Sequence, residues 1–239
     1  MITVHLKKLK RRFEISSEEE RVIRDLIAEI RRVPADEVIV HAGEELNVSL
    51  LLIDGWLARI KDLAGGERQV TQLHVPGDFA DLHGFALKRL DHDVATMSDC
   101  RIAVAPHEKI REMTEKHPRL ARIYWFVTNV DGAIQRELTL SLGQRSAISR
   151  MAHLFCELYA RLNVVGRTRD DGYEFPITQR ELSECLGLTV VHANRTLQEL
   201  RRRGLVELEN RHLRILDRRG LEGLAEFDPA YLYLDKHPL

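Results

Sequence analysis

Apolar positions follow a helical rhythm near the start of the chain, break into short β-rich runs in the middle, and return to a helical rhythm after Pro106. Ser17 to Arg32 reads as one helix. Ser17 caps it, Glu18, Glu19 and Glu20 sit at its positive end, Arg31 and Arg32 sit at its negative end, and Pro34 stops it. From Asp36 to Pro106 the predicted strands are Val38 to Val40, Ser49 to Ile53, Trp56 to Lys61, Arg68 to Val75, Val94 to Met97 and Arg101 to Ala105. Turn signals separate them: Gly43-Glu44, Asp54-Gly55, Gly65-Gly66 and Pro76-Gly77-Asp78. Short strands at such spacing predict an all-β barrel or sandwich. Phe79 to Leu90 reads as a short helix interrupting it.

Pro118 starts a long helix at its first turn. Leu120, Ile123, Val127, Val130, Ile134 and Leu138 recur every three or four residues along it, an apolar stripe of coiled-coil type. Two such helices would pair across a two-fold axis. The same spacing also suits an amphipathic helix lying on its own barrel. Ser141 and Gly143 end the helix. Arg145 to Leu162 is a further helix, and Asn163 to Asp171 a loop.

The segment after Pro176 carries the clearest chemistry. Thr178-Gln179-Arg180-Glu181 is a capping box that opens a helix with Leu182 and Leu186 inside and small Ser183 at a helix crossing. Gly187 makes the turn, Leu188 plugs the corner, and Thr189 caps a second helix running from Val190 to about Arg203. Ala193, Leu197 and Leu200 point that helix inward, and Gly204 ends it. Two short strands, Leu205 to Glu209 and His212 to Leu216, complete a winged helix-turn-helix. The outward face of the second helix carries Val191, His192, Asn194, Arg195 and Gln198. Arginine pairs with guanine O6 and N7, asparagine with adenine N6 and N7, and valine packs on a thymine methyl. Thr178, Gln179, Arg180 and Thr189 are placed to hold phosphates. Arg201, Arg202 and Arg203 either add phosphate neutralisation or form a solvated end that suits the helix dipole.

Composition changes this picture little. The chain of 239 residues is 44% hydrophobic and 31% charged, with a formal net charge of −1. A near-neutral total is compatible with DNA binding, because a local basic surface suffices. Met1 to Ser16 is basic and lacks the apolar core of a secretory signal, and no run is long enough to span a membrane, so a cytoplasmic protein is expected. Cys100, Cys156 and Cys185 have no metal-ligand spacing and read as free buried thiols. No metal site or cofactor is expected. His74, His83, His92, His107 and His117 lie in or beside the barrel, but without tight ligand spacing they read as surface or core histidines. No P-loop, Gly-x-Ser-x-Gly or His-Glu-x-x-His motif argues for an enzyme. The remaining alternative to a DNA-binding regulator is a ligand-binding signalling module that does not bind DNA.

These motifs together resemble the Crp/Fnr family of bacterial transcription regulators. The resemblance rests most on Ile177-Thr178-Gln179-Arg180-Glu181-Leu182, Leu186-Gly187-Leu188-Thr189 and Asn194-Arg195-Thr196-Leu197, and on the barrel turns Gly43-Glu44, Asp54-Gly55 and Pro76-Gly77-Asp78-Phe79. It implies an α+β chain: a double-stranded β-helix, the cupin-like jelly-roll barrel, as sensor domain over 1–117, a dimerisation helix over 118–143, and a winged helix-turn-helix over 144–239. It also implies a homodimer on a two-fold symmetric operator, contact with RNA polymerase, and a small-molecule effector that the sequence does not name. Two departures matter. A glutamate common in the family's recognition helix is replaced by Val191, which cannot accept from cytosine N4. The Gly-Glu and Arg-Ser pairs that hold a cyclic nucleotide's phosphate fall at Asp81-Leu82 and near Arg89-Leu90, so a cyclic nucleotide is not the expected effector.

Overall fold

The computed structural model describes residues 2–237. Two helices open the chain, α1 (Thr3–Arg12) and α2 (Ser17–Asp25). The first was not predicted, since its basic surface hid the apolar side of Leu6 and Leu9, both buried. The cap of α2 is Ser16 rather than Ser17, in a reciprocal capping box with Glu19. The helix also stops at Asp25, seven residues earlier than the charge pattern suggests. Glu29–Val33 instead forms strand β1, paired antiparallel from Glu29↔Val104 to Val33↔Cys100. Arg31 and Arg32 therefore decorate an exposed sheet edge, where charge discourages further pairing. Only a partner far along the chain makes that segment a strand.

Six more strands complete the barrel: β2 (Val38–Val40), β3 (Val48–Asp54), β4 (Leu57–Asp62), β5 (Arg68–His74), β6 (Asp93–Thr96) and β7 (Cys100–Pro106). They form two facing antiparallel sheets, ordered β1-β7-β3 and β2-β6-β4-β5. The short helix α3 (Gly84–Leu87) interrupts them. Strand β3 shows why its sequence is continuously apolar. Leu50 and Leu52 point between the sheets with Leu57, Val94 and Ile102, whereas Leu51 and Ile53 point outward into a second core beneath α1 and α2. Both faces are covered, so neither needs polar residues. At the β3–β4 turn Gly55 has φ +89°, and a Cβ there would sit 2.3 Å from the Asp99 carbonyl oxygen. Only glycine fits.

Helix α4 (His107–Lys116) leads into the long α5 (Pro118–Gln144). The stripe Leu120, Ile123, Val127, Val130, Ile134 and Leu138 does not form an outward seam. Leu120, Ile123 and Val127 are buried in the core under the barrel. Val130 and Ile134 are buried beneath the C-terminal segment, and Leu138 borders a small cavity beside β5. The apolar stripe thus packs on the protein's own body.

Helix α6 (Ala147–Val164) begins the last domain, followed by β8 (Gly172–Glu174), α7 (Gln179–Leu186), α8 (Val190–Arg202), β9 (Val206–Glu209) and β10 (His212–Ile215). Strand β8, just after the Asn163–Asp171 loop and not predicted from the sequence, is an edge of the wing sheet, which is ordered β8-β10-β9. Helix α9 (Arg218–Ala225) and a 3-10 turn, Pro229–Leu232, follow. The outer face of the β4–β5 sheet shares one continuous core with α6, α7 and the wing. Within it Trp56 of the barrel packs against Tyr173 and Phe175.

Candidate nucleic-acid interface

The helix-turn-helix is set by local chemistry. Thr178 accepts from the Glu181 N–H while Glu181 accepts from the Thr178 N–H, closing the capping box of α7. Gly187 ends α7 at φ +60°. Thr189 caps α8 by accepting from the His192 N–H at 3.2 Å. Ala193, Leu197 and Leu200 fix α8 to the domain core. This leaves Val191, His192, Asn194, Arg195 and Gln198 exposed along one face. Val190 and Val191 are 45% and 62% exposed, a large apolar area for a helix's first turn.

The cations around this face are not equivalent. Arg195 makes no ion pair among the described residues, so its guanidinium is available. Arg202 and Arg203 both pair with Glu199, and Arg201 approaches Glu209 at 4.0 Å. That favours the solvated helix end over phosphate contact for these three. Of the residues expected from the sequence to hold phosphates, Thr178 and Thr189 are exposed at helix N-termini, Gln179 is half-buried, and Arg180 is exposed but paired with Glu184 at 3.0 Å. At the wing tip Asn210 and Arg211 both have positive φ, as a two-residue hairpin turn requires.

Sequence reasoning missed the residues that attach this unit to the barrel. Arg150 donates to the carbonyls of Ser141, Leu142 and Arg145 at the α5–α6 break and to that of Leu186 at the end of α7. Gln69 of β5 donates to the Glu184 carbonyl at 2.7 Å. Arg161 of α6 reaches the Leu73 carbonyl and Asp78 Oδ2, and Lys8 of α1 reaches Asp78 Oδ1. Asp78 is buried, yet these two cations hold its carboxyl well below the usual carboxylate range. No spacing rule links residues so far apart in sequence.

On the sensor side the four residues Asp81, Leu82, Arg89 and Leu90 do not converge on one pocket. Asp81 is fully buried at the floor of a cleft, Leu82 belongs to the core under the helices, Leu90 lies between the sheets, and Arg89 is at the surface with Glu45. Arg59 of β4 is a cation buried at this end of the barrel. It donates to the Ala80 carbonyl, to Gln72 at 2.7 Å and to Asp131 of α5 at 2.9 Å. Gln135 of α5 donates to the Thr71 carbonyl and to Gln72. A polar network thus joins barrel to α5 from within the chain. Among the described residues no group of three or more His, Cys, Asp or Glu is placed to hold a metal ion, and no helix is long and apolar enough to cross a membrane.

A jelly-roll sensor, a long connecting helix and a winged helix-turn-helix with an open recognition face define a regulator that reads DNA. Comparison with known proteins places it further. Residues 30–117 match the cyclic nucleotide-binding domain and residues 149–224 the Crp-like helix-turn-helix domain. The transcriptional activator protein FnrA of Stutzerimonas stutzeri is 24% identical over 84% of this chain and 82% of its own length. The nitrogen fixation regulation protein FixK of Bradyrhizobium diazoefficiens is 25% identical over 78% of each. The structure of FixK2 from Bradyrhizobium japonicum covers 83% of this chain and 97% of its own, with a TM-score of 0.74 at 21% identity. The chain belongs to the Crp/Fnr family of transcription regulators.

Proposed function

We propose that the protein binds a two-fold symmetric operator as a homodimer, with α8 of each copy in the major groove of one half-site. The observation that carries this reading is the exposed row Val191, His192, Asn194 and Arg195 on a helix held rigidly from behind. Half-sites then lie about one helical turn, ~34 Å, apart. Thr178, Gln179, Arg180 and Thr189 fix the register through phosphates, while Asn194, Arg195 and the valines read bases.

Dimerisation uses the face of α5 left free by the barrel. Arg122, Trp125, Asn129, Gly132, Arg136 and Thr139 recur at intervals of three and four on that side. Trp125 is 69% exposed and supplies an anchor, and Gly132 permits close approach of a second helix. A role on DNA supports a cytoplasmic location, and the family resemblance supports contact with RNA polymerase. A cyclic nucleotide is disfavoured as effector, because the two buried arginines among the described residues are already committed, Arg59 to Asp131 and Gln72 and Arg161 to Asp78 and Glu157.

The test is selection from random duplexes followed by binding at several salt concentrations. Enrichment of a palindrome is expected, and Arg195→Ala should cost about 1–3 kcal/mol and relax one base pair per half-site. No palindromic enrichment, with binding indifferent to Arg195, would reject the reading. Millimolar cyclic AMP or cyclic GMP should leave both operator affinity and thermal stability unchanged.

A further inference from the structure

Arg150 is the fourth residue of α6, just inside the Ser146 cap. A cation there faces the positive end of its own helix dipole, where acids are favoured, and the first turn of α6 holds no acid. What offsets this lies on two other helices. The Arg150 Nε donates to the Ser141 carbonyl at 3.0 Å, Nη2 to those of Leu142 and Arg145 at 3.1 Å, and Nη1 to that of Leu186. Leu142 and Leu186 lie in the last turns of α5 and α7, whose final carbonyls have no partner within their helices. One guanidinium thus closes the negative ends of two helices. No carboxylate shares it among the described residues.

These bonds meet at the joint between the dimer helix and the DNA-binding unit. Helix α5 ends at Gln144, α6 starts at Ala147, and α8 follows α7 after the short turn Gly187 to Thr189. A Cβ on Gly187 would lie 3.2 Å from Leu142 Cδ2 and 3.8 Å from Arg150 Nη1, so the end of α7 packs directly on the end of α5. Gln69 of β5 holds the same end of α7 from the barrel, donating to the Glu184 carbonyl at 2.7 Å. Helix stability asks only that the final carbonyls be hydrogen-bonded, and water does that at a half-buried site such as this one. A planar guanidinium fork does more, because it fixes the angle between the groups it joins.

We propose, resting on the two-fold operator inferred above, that Arg150 is a positioning residue that sets the distance and rotation between the two recognition helices, and with them the half-site spacing the operator must have. One base pair inserted between half-sites moves them ~3.4 Å apart and turns them by about 34°, a change that a rigid joint rejects and a loose one absorbs.

The probes are duplexes carrying the selected palindrome, intact or with one base pair added or removed at its centre, bound to the full chain. The unaltered protein is expected to bind both altered spacings at least about tenfold more weakly than the intact one. Arg150→Met keeps the stem without the fork, and Arg150→Lys keeps the charge as well. Both should cut that discrimination below about threefold, since neither reproduces a planar fork. Base preference within each half-site, and sedimentation as a dimer, should stay unchanged. A role confined to stability would instead lower affinity for all three duplexes together and leave their ratios alone. Full spacing discrimination in either folded variant, its absence from the unaltered protein, or loss of base preference along with it would overturn the proposal. Loss of native circular dichroism in both variants would overturn it too, by making Arg150 a requirement of the fold. If selection enriches no palindrome, the operator reading falls and this one with it; a palindrome whose spacing preference survives in the variants sinks this one alone.

Discussion

With α8 docked in the major groove as proposed, Val191 is a side chain that would set specificity without touching the fold. It sits in the exposed first turn of α8, where an acid would accept from cytosine N4 and a valine packs on a thymine methyl. Val191→Glu should therefore move the preferred base pair at one position per half-site toward C·G, by about 1–3 kcal/mol, as read by competition between duplexes. Arg59 and Asp131 form a buried pair, their side chains 6% and 14% exposed. Asp131→Ala would leave a guanidinium buried without its charge partner and should lower unfolding stability by about 3–5 kcal/mol in urea titration. The double change to Arg59→Met and Asp131→Leu should recover much of that, because buried ion pairs gain little over well-packed apolar residues. The buried histidines give stability a pH dependence. Burial lowers His5 to about 4 and His153 to about 3, from an ordinary 6.5. The unfolded chain takes up these protons below pH 6.5 and the folded chain does not. Their contribution is thus complete above 6.5 and is lost as pH falls toward 4 and 3. Asp81, raised to about 7, works the other way, favouring the folded state less as pH rises from the ordinary 3.8 to 7. With His5, His74, His83, His92, His107 and His153 all lowered by burial against the one raised aspartate, the urea midpoint should drop on acidification from pH ~7 to ~5.

Helix α5 serves three surroundings at once, and its faces predict different failures. One face is buried under the barrel core and another under the C-terminal segment, which leaves the row through Trp125 and Arg136. Trp125→Glu should weaken dimerisation by at least about 2 kcal/mol, seen as monomer in sedimentation with circular dichroism unchanged. Val127→Asp should unfold the sensor instead, because it places an unpaired charge in a closed core. If Val127→Asp gave a folded monomer and Trp125→Glu an intact dimer, the assignment of faces would be reversed. Local sequence predicted this helix well, from Pro118 to the glycine near its end. It did not reveal which face is free, because an apolar stripe marks burial and says nothing of whether the cover is the same chain or another. The recognition helix was legible throughout, since caps, turn glycine and inward leucines all act within a few residues. Strand β1 was not, because its pairing lies some seventy residues away.

At the scale of the molecule, its two ends tie the domains together. Leu232 packs on Val130 and Ile134, and the Tyr231 hydroxyl donates to Glu157 at 2.7 Å. Arg12 of α1 donates to the carbonyls of Tyr233 and Asp235 and lies 4.7 Å from the Phe126 ring. Helix α1 precedes the matched sensor segment and the C-terminal strap follows the matched DNA-binding one. Ending the chain after Asp228 should uncover α5 and cost roughly 1.5–3 kcal/mol for Leu232 alone, measured as lost unfolding free energy. Undiminished stability would show that the strap is an ornament. By itself the sequence determined the winged helix-turn-helix, its recognition face and the alternation of strands and turns, because those depend on caps, glycines and periodicities that act locally. Only the tertiary structure decided the rest. It buried the α5 stripe, ended α2 early, committed Arg59 to Asp131 and left Asp81 with an unpartnered oxygen, since each depends on which distant residue fills the space opposite.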